Sequence, residues 1–204
     1  MILIEDTSIP DAALPVDEFK AHLRLGTGFG DETLADSVLK GFLRAAIAAI
    51  EARTTKVLIA RDFTWTLSFW RDRAAQSLPV APVGAVTSIT LVDVAGVETV
   101  VDSASYRLEA DSQCPRVRPI SGVLPMVPSN GEVRVAFVAG MSVDWGGLPA
   151  DLGQAVLLLA AHYHEFRHET ALSDGCMPFG VTSLIQRYRL VRISLGTGQL
   201  GARL

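Results

Sequence analysis

The spacing of apolar residues changes period twice along this chain, and this limits the fold more than any single motif. Residues 31–54 (D-E-T-L-A-D-S-V-L-K-G-F-L-R-A-A-I-A-A-I-E-A-R-T) repeat at the helical period. Leu34, Val38, Leu39, Phe42, Ala46, Ile47, Ala49 and Ile50 form a broad stripe there, with Asp31 placed to cap the first turn. From residue 57 the period falls to two. F-T-W-T-L-S-F-W at 63–70 sets Phe63, Trp65, Leu67 and Phe69 against Thr64, Thr66 and Ser68, the pattern of a half-buried strand. After Pro149 the helical period returns, with Leu152, Val156, Leu159, Tyr163 and Phe166 on one stripe. This order predicts an α+β fold in which an antiparallel β unit is inserted into a helical body.

Shorter elements fit the same frame. L-P-V-D-E-F-K-A-H-L-R-L carries Val16, Phe19 and Leu23 at helical spacing, with Pro15 at its start and Asp17 and Glu18 in the first turn, and a stop at Gly26. V-T-S-I-T-L-V-D at 86–93 and V-E-T-V-V-D at 97–102 flank an A-G turn and read as a hairpin. L-P-V-A-P-V-G at 78–84 holds too much proline for a central strand. Segments 105–110 and 116–120 read as short strands, and 132–140 alternates with Val133, Val135 and Phe137 on one face. The expected division is an N-terminal helical part (1–56), the β unit (57–140), a third helix completing the helical body (141–174) and an extended C-terminal tail (175–204).

Two widely spaced cysteines, Cys114 and Cys176, form no C-x-x-C pair and are expected as free thiols. The first residues lack the basic and apolar regions of a signal peptide, and the apolar run at 155–161 is far shorter than a bilayer span. Bacterial cytoplasm during synthesis is the expected location. The net charge of −4 divides unevenly: residues 175–204 carry Arg187, Arg189, Arg192 and Arg203 and no acidic residue, which is +4 there and −8 in the remainder.

Two motifs raise the question of chemistry. G-T-G-F-G at 26–30 has the glycine content of a phosphate-binding loop but follows a helix, where such a loop must follow a strand, so it reads as a helix stop. H-E-F-R-H at 164–168 has the spacing of a zinc protease, with two histidines on one helix face and Glu165 where a general base would sit. Its continuation is E-T-A-L-S-D, which puts Asp174 at the count of a third ligand but Ala171 where a glycine would make the turn back to the metal. No histidine follows His168. His162, His164 and His168 therefore read as structural residues at the end of a helix, and the expectation is no enzyme, no metal and no cofactor. A zinc-dependent hydrolase on this motif is the alternative. A DNA-binding module on the basic tail is a second.

Several stretches in sequence order resemble the head-tail connector, or adaptor, proteins of tailed bacteriophages and phage-like gene transfer agents. They are D-E-F-K-A-H-L-R-L, A-A-I-A-A-I-E-A-R-T, L-P-V-A-P-V-G-A-V-T-S-I, V-A-F-V-A-G, L-P-A-D-L-G-Q-A-V-L-L-L-A-A-H-Y-H-E-F-R and V-T-S-L-I-Q-R-Y-R, which together cover nearly the whole chain. In that family the third helix ends in a tyrosine, polar or acidic residues and an arginine, and Tyr163, Glu165 and Arg167 occupy that stretch here. The resemblance implies a structural protein without catalytic site or cofactor. Such subunits form a ring, typically of twelve, beneath the portal at the capsid vertex, carry the stopper or tail terminator, and surround the channel through which DNA passes.

Residues 175–204 are then expected to dock on the portal, with Leu184, Ile185, Arg187, Tyr188, Arg189 and Arg192 as the contact residues and the arginines pairing with acidic groups. A chain cut after Asp174 is expected to stay folded. The acidic body suits a conduit that passes DNA without gripping its phosphates.

Overall fold

A computed structural model describes residues 1–24, 32–167 and 177–189, with the side chains of 32–35 excluded. Four helices and eight strands carry the described chain. The helices are α1 (Val16–His22), α2 (Glu32–Thr54), α3 (Ala150–Glu165) and α4 (Phe179–Ile185). The strands are β1 (Ile2–Glu5), β2 (Arg61–Leu67), β3 (Gln76–Ser77), β4 (Val83–Val92), β5 (Glu98–Val100), β6 (Tyr106–Glu109), β7 (Arg116–Pro119) and β8 (Glu132–Ala139). The α+β class stands, and β2 to β8 lie between α2 and α3 in chain order. Two expectations are corrected. Residues 2–5, assigned to the N-terminal helical part, form a strand paired with β2, and part of the segment read as an extended tail is a fourth helix.

Alternation builds the β unit. Five strands in the order β1-β2-β8-β4-β5, every neighbouring pair antiparallel, form one sheet, and β3-β7-β6 form a second. On β2 and β8 the odd positions face inward: Phe63, Trp65 and Leu67 pack with Val133, Val135 and Phe137 in a core that Ile89, Tyr106, Val117 and Leu124 complete. Phe63 and Phe137 are directly paired across the strands with their rings stacked at 5.6 Å. The alternation expected to run to residue 70 stops at Leu67. The chain then turns Trp70 into the core, where its indole N–H donates to the Pro125 carbonyl at 2.8 Å, and leaves Phe69 exposed. Of the proline-rich stretch 78–84, residues 78–82 form no strand and the Ala81–Pro82 bond is cis, but Val83 and Gly84 already belong to β4, which has a neighbour on each side.

The helical body has its own core. Leu39, Leu43, Ala46, Ile47 and Ile50 of α2 meet Leu152, Ala155, Val156, Leu159 and Ala160 of α3, with Phe19 of α1 and Val181 and Ile185 of α4. The stripe on α2 is therefore turned from the expected one: Leu43 is buried, whereas Val38 is exposed. Ala46, Ala155 and Ala160 lie fully buried in this core, where small side chains suit close approach of the two helices.

Residues 55–61 weld the two units. Thr55, in the left-handed region (φ 57°), ends α2, and Leu58 and Ile59 enter the helical core while Val57 enters the β core. Lys56 is buried between them and donates from Nζ to the Ser112 carbonyl and to Gln113 Oε1. Burial pushes its ammonium pKa down, with the nearby Asp111 opposing. On the other side of the weld Gly140 passes so close to residue 60 that a Cβ would lie 2.3 Å from Ala60 Cα. A glycine is required there by contact alone.

Candidate assembly surface

The residues expected to dock split into three groups. Ile185 is buried in the helical core, and Leu184 is half-buried against it. The sequence supports this placement: Val181 and Ile185 are one helical turn apart, after a Pro178 that suits a helix start. Arg187 and Tyr188 sit in the single 3-10 turn that follows α4, and both reach Asp151 in the first turn of α3. Tyr188 donates its hydroxyl to Asp151 Oδ1 at 2.9 Å, and Arg187 Nε pairs with Asp151 Oδ2 at 2.9 Å. The Arg187 guanidinium also donates to the Tyr188 hydroxyl and lies over that ring, 4.7 Å from its centroid. Partial burial pushes the Tyr188 phenol pKa up. Arg189 is exposed, and Arg192 lies outside the described residues.

Residues 177–189 are thus a packed element latched to the start of α3, and the basic segment is not one uniform surface. The sequence reading overlooked Asp151. The signal that could have found it is an aspartate two residues after Pro149, in the first turn of a helix, where acidic residues are favoured.

The first four residues of the H-E-F-R-H stretch, 164–167, fall at the end of α3 and just past it. His164 sets its ring edge-on to Phe42 of α2 at a centroid distance of 5.7 Å, and the Arg167 guanidinium lies 3.3 Å from its Nε2. Burial, with Arg167 adding to it, lowers the His164 pKa. His162 packs on Phe166 with centroids 4.6 Å apart. A guanidinium against Nε2 is opposed to a cation at the same atom. His168 and Asp174, the other members of the proposed ligand set, lie outside the described residues, as does the G-T-G-F-G stretch. Among the described residues no three His, Cys, Asp or Glu side chains converge on a common point.

Two surfaces remain unpartnered among the described residues. Along α2, Val38, Gly41, Ala45, Ala48 and Ala52 are exposed and fall on one face at helical spacing, and a Cβ at Gly41 would meet nothing within 4 Å. The five-stranded sheet ends on one side at β1, with Ile2 and Ile4 exposed, and on the other at β5, with Val100 exposed. Apolar exposure of this kind marks surfaces that other chains cover.

No family model and no curated protein matches the chain. Solved structures do. A chain from the neck of an empty gene transfer agent (GTA) particle, computed with C6 symmetry, is 52% identical, with 96% of this chain and 99% of that one covered and a TM-score of 0.86. A chain from the virion of a native gene transfer agent particle is also 52% identical over the same shares, at a TM-score of 0.83. A chain from the neck of a native GTA particle, computed with C12 symmetry, is 48% identical over those shares, at a TM-score of 0.82.

Proposed function

The chain belongs to the head-tail connector family of gene transfer agents, and from that premise we propose that it is a ring-forming subunit of a particle neck. The carrying observation is the match in sequence and shape along nearly its whole length to chains solved in the necks of such particles. A cyclic assembly of identical subunits is built from one heterologous contact repeated around the axis, so each subunit must offer two different surfaces to its neighbours. The small-residue face of α2 and the open edges of the five-stranded sheet supply candidates for such surfaces.

In this reading twelve copies sit beneath the portal, carry a stopper or tail terminator below, and surround the DNA without holding it. The excess of acidic residues before residue 175 supports a passive wall, because it offers phosphates little to pair with. Portal contact falls to the basic end of the chain, with Arg189 and Arg192 as its cations. Leu184 and Ile185 act as the fixed base of that contact, and Arg187 and Tyr188 as the latch that sets its direction from α3.

The test is genetic and structural. A producing strain lacking this chain should release DNA-filled heads without tails, and complementation should restore joined particles. Joined particles without the chain would overturn the reading.

A further inference from the structure

We propose that the five-stranded sheet continues from subunit to subunit, β5 of one copy pairing in parallel with β1 of the next. The inference rests on the ring reading above and names one of its contacts.

The sheet has two terminal strands, and neither has a strand on its outer side among the described residues. Edge strands that must stay single are usually blunted by proline, lysine or a bulge. β1 (I-L-I-E) and β5 (E-T-V) are short and carry one glutamate each, but neither holds a proline, a lysine or a bulge, and β1 pairs with β2 in unbroken register. Both therefore keep a row of backbone N–H and C=O groups free to pair. An N-terminal strand of Ile-Leu-Ile left open would be an aggregation hazard for a free-standing subunit.

The side chains agree with the backbone. Ile2 pairs with Thr66, Thr66 with Arg134, Arg134 with Thr90 and Thr90 with Val100, so one row crosses all five strands on the face turned away from the β core. Ile4 stands on the same face, opposite Thr64. The apolar residues most open at the two edges are the outer-face ones: Ile2 is 60% exposed, Ile4 51% and Val100 69%, against 37% for the inner-face Leu3. Extending the sheet by one copy places Val100 beside the neighbour's Ile2 or Ile4, and three exposed aliphatic side chains cover one another.

The strand directions fix the sense of pairing. With five strands alternating in direction, β1 and β5 run the same way, so a rotated neighbour presents β1 parallel to β5. The C12 operator of the related neck turns adjacent copies by 360°/12, about 30°, so β1 of the next copy stays within that angle of β1 of the first and the parallel sense is kept. The two edges are different surfaces on opposite sides of one sheet, as a head-to-tail ring contact requires.

Cysteine cross-linking in assembled particles tests this. In a background with Cys114→Ser and Cys176→Ser, the pairs Ile4→Cys with Val100→Cys and Ile2→Cys with Val100→Cys are treated with a short bismaleimide. The expected result is a ladder of covalent multimers from at least one pair, and monomer only from each single variant. Monomer only from both pairs, with the chain present in the particles, overturns the strand pairing and leaves the ring reading standing. Dimers from a single variant also overturn it, because they report a two-fold contact. Loss of the chain from particles even in the cysteine-free background, with joined particles still formed, overturns the ring reading itself.

Discussion

Arg61 of β2 grips Glu51 of α2 with both terminal nitrogens, at 3.1 Å to Oε1 and 2.7 Å to Oε2, and thereby ties the β unit to the helical body. The guanidinium is nearly buried and also pairs through Nε with Glu5 of β1 at 2.8 Å. Glu51 Oε1 accepts the Leu58 backbone N–H at 2.7 Å, so one carboxylate organises the weld as well. Burial works against the charged guanidinium, and the two carboxylates more than offset it, raising its pKa.

Removing one partner of this pair strands a buried charge. Glu51→Ala is expected to cost about 3–5 kcal/mol, read as a lower urea midpoint. The double variant Glu51→Leu with Arg61→Met should recover a large part of that loss, because two apolar side chains need no counter-ion.

The fourth helix changes where the chain can be cut. Val181 and Ile185 fill the helical core, so truncation after Asp174 is now expected to destabilise the body, against the expectation of a freely removable tail. Ile185→Ala alone should cost about 2–5 kcal/mol. A chain ending at Arg189 keeps every packed side chain described here and should melt within a few degrees of the full chain, while failing to enter particles if portal contact runs through Arg192.

The N-terminal segment should loosen in acid. Arg44 and Lys40 of α2 hold the Asp11 carboxylate, lowering its pKa from 3.8 to about 2. A depressed carboxylate stabilises the fold above its unfolded value and loses that contribution as the pH falls from about 4 through 2. The group is exposed, so the effect is small and screened by salt. Asp11→Asn should flatten the stability profile in that window, with a small loss of stability at neutral pH and none below about pH 2.

The histidines at the end of α3 should bind no structural or catalytic zinc. Protein purified without a histidine tag is expected to carry well under one equivalent of zinc, and His164→Ala should lower stability modestly through its lost contact with Phe42 without affecting particle joining. Stoichiometric zinc lost in that variant would restore the hydrolase reading.

Much of the architecture was legible because buried elements impose their period. Phe63, Trp65 and Leu67, and Val133, Val135 and Phe137, alternate strictly, and α2 and α3 repeat over many turns. What was missed is short or depends on a distant partner. Four residues of β1 give too little pattern to mark a strand, and its pairing partner is some sixty residues away. Phe69 and Trp70 exchange the expected inward and outward roles because a hydrogen bond to Pro125, far along the chain, fixes the indole. The residues expected to dock were grouped from resemblance and charge, but only the fold separates Ile185, a core residue, from Arg189, which faces solvent. Asp151 could be singled out by its place in the first turn of α3, but its pairing with Arg187 and with Tyr188, 37 positions away, is visible only in three dimensions.

The most direct test of the central claim is a reconstruction of the neck of particles from a strain producing this chain, with and without it. The expected density is a closed ring of this fold between the portal and the first tail component, absent together with the tails when the chain is removed. Necks that keep the same ring and tails in its absence would contradict the account.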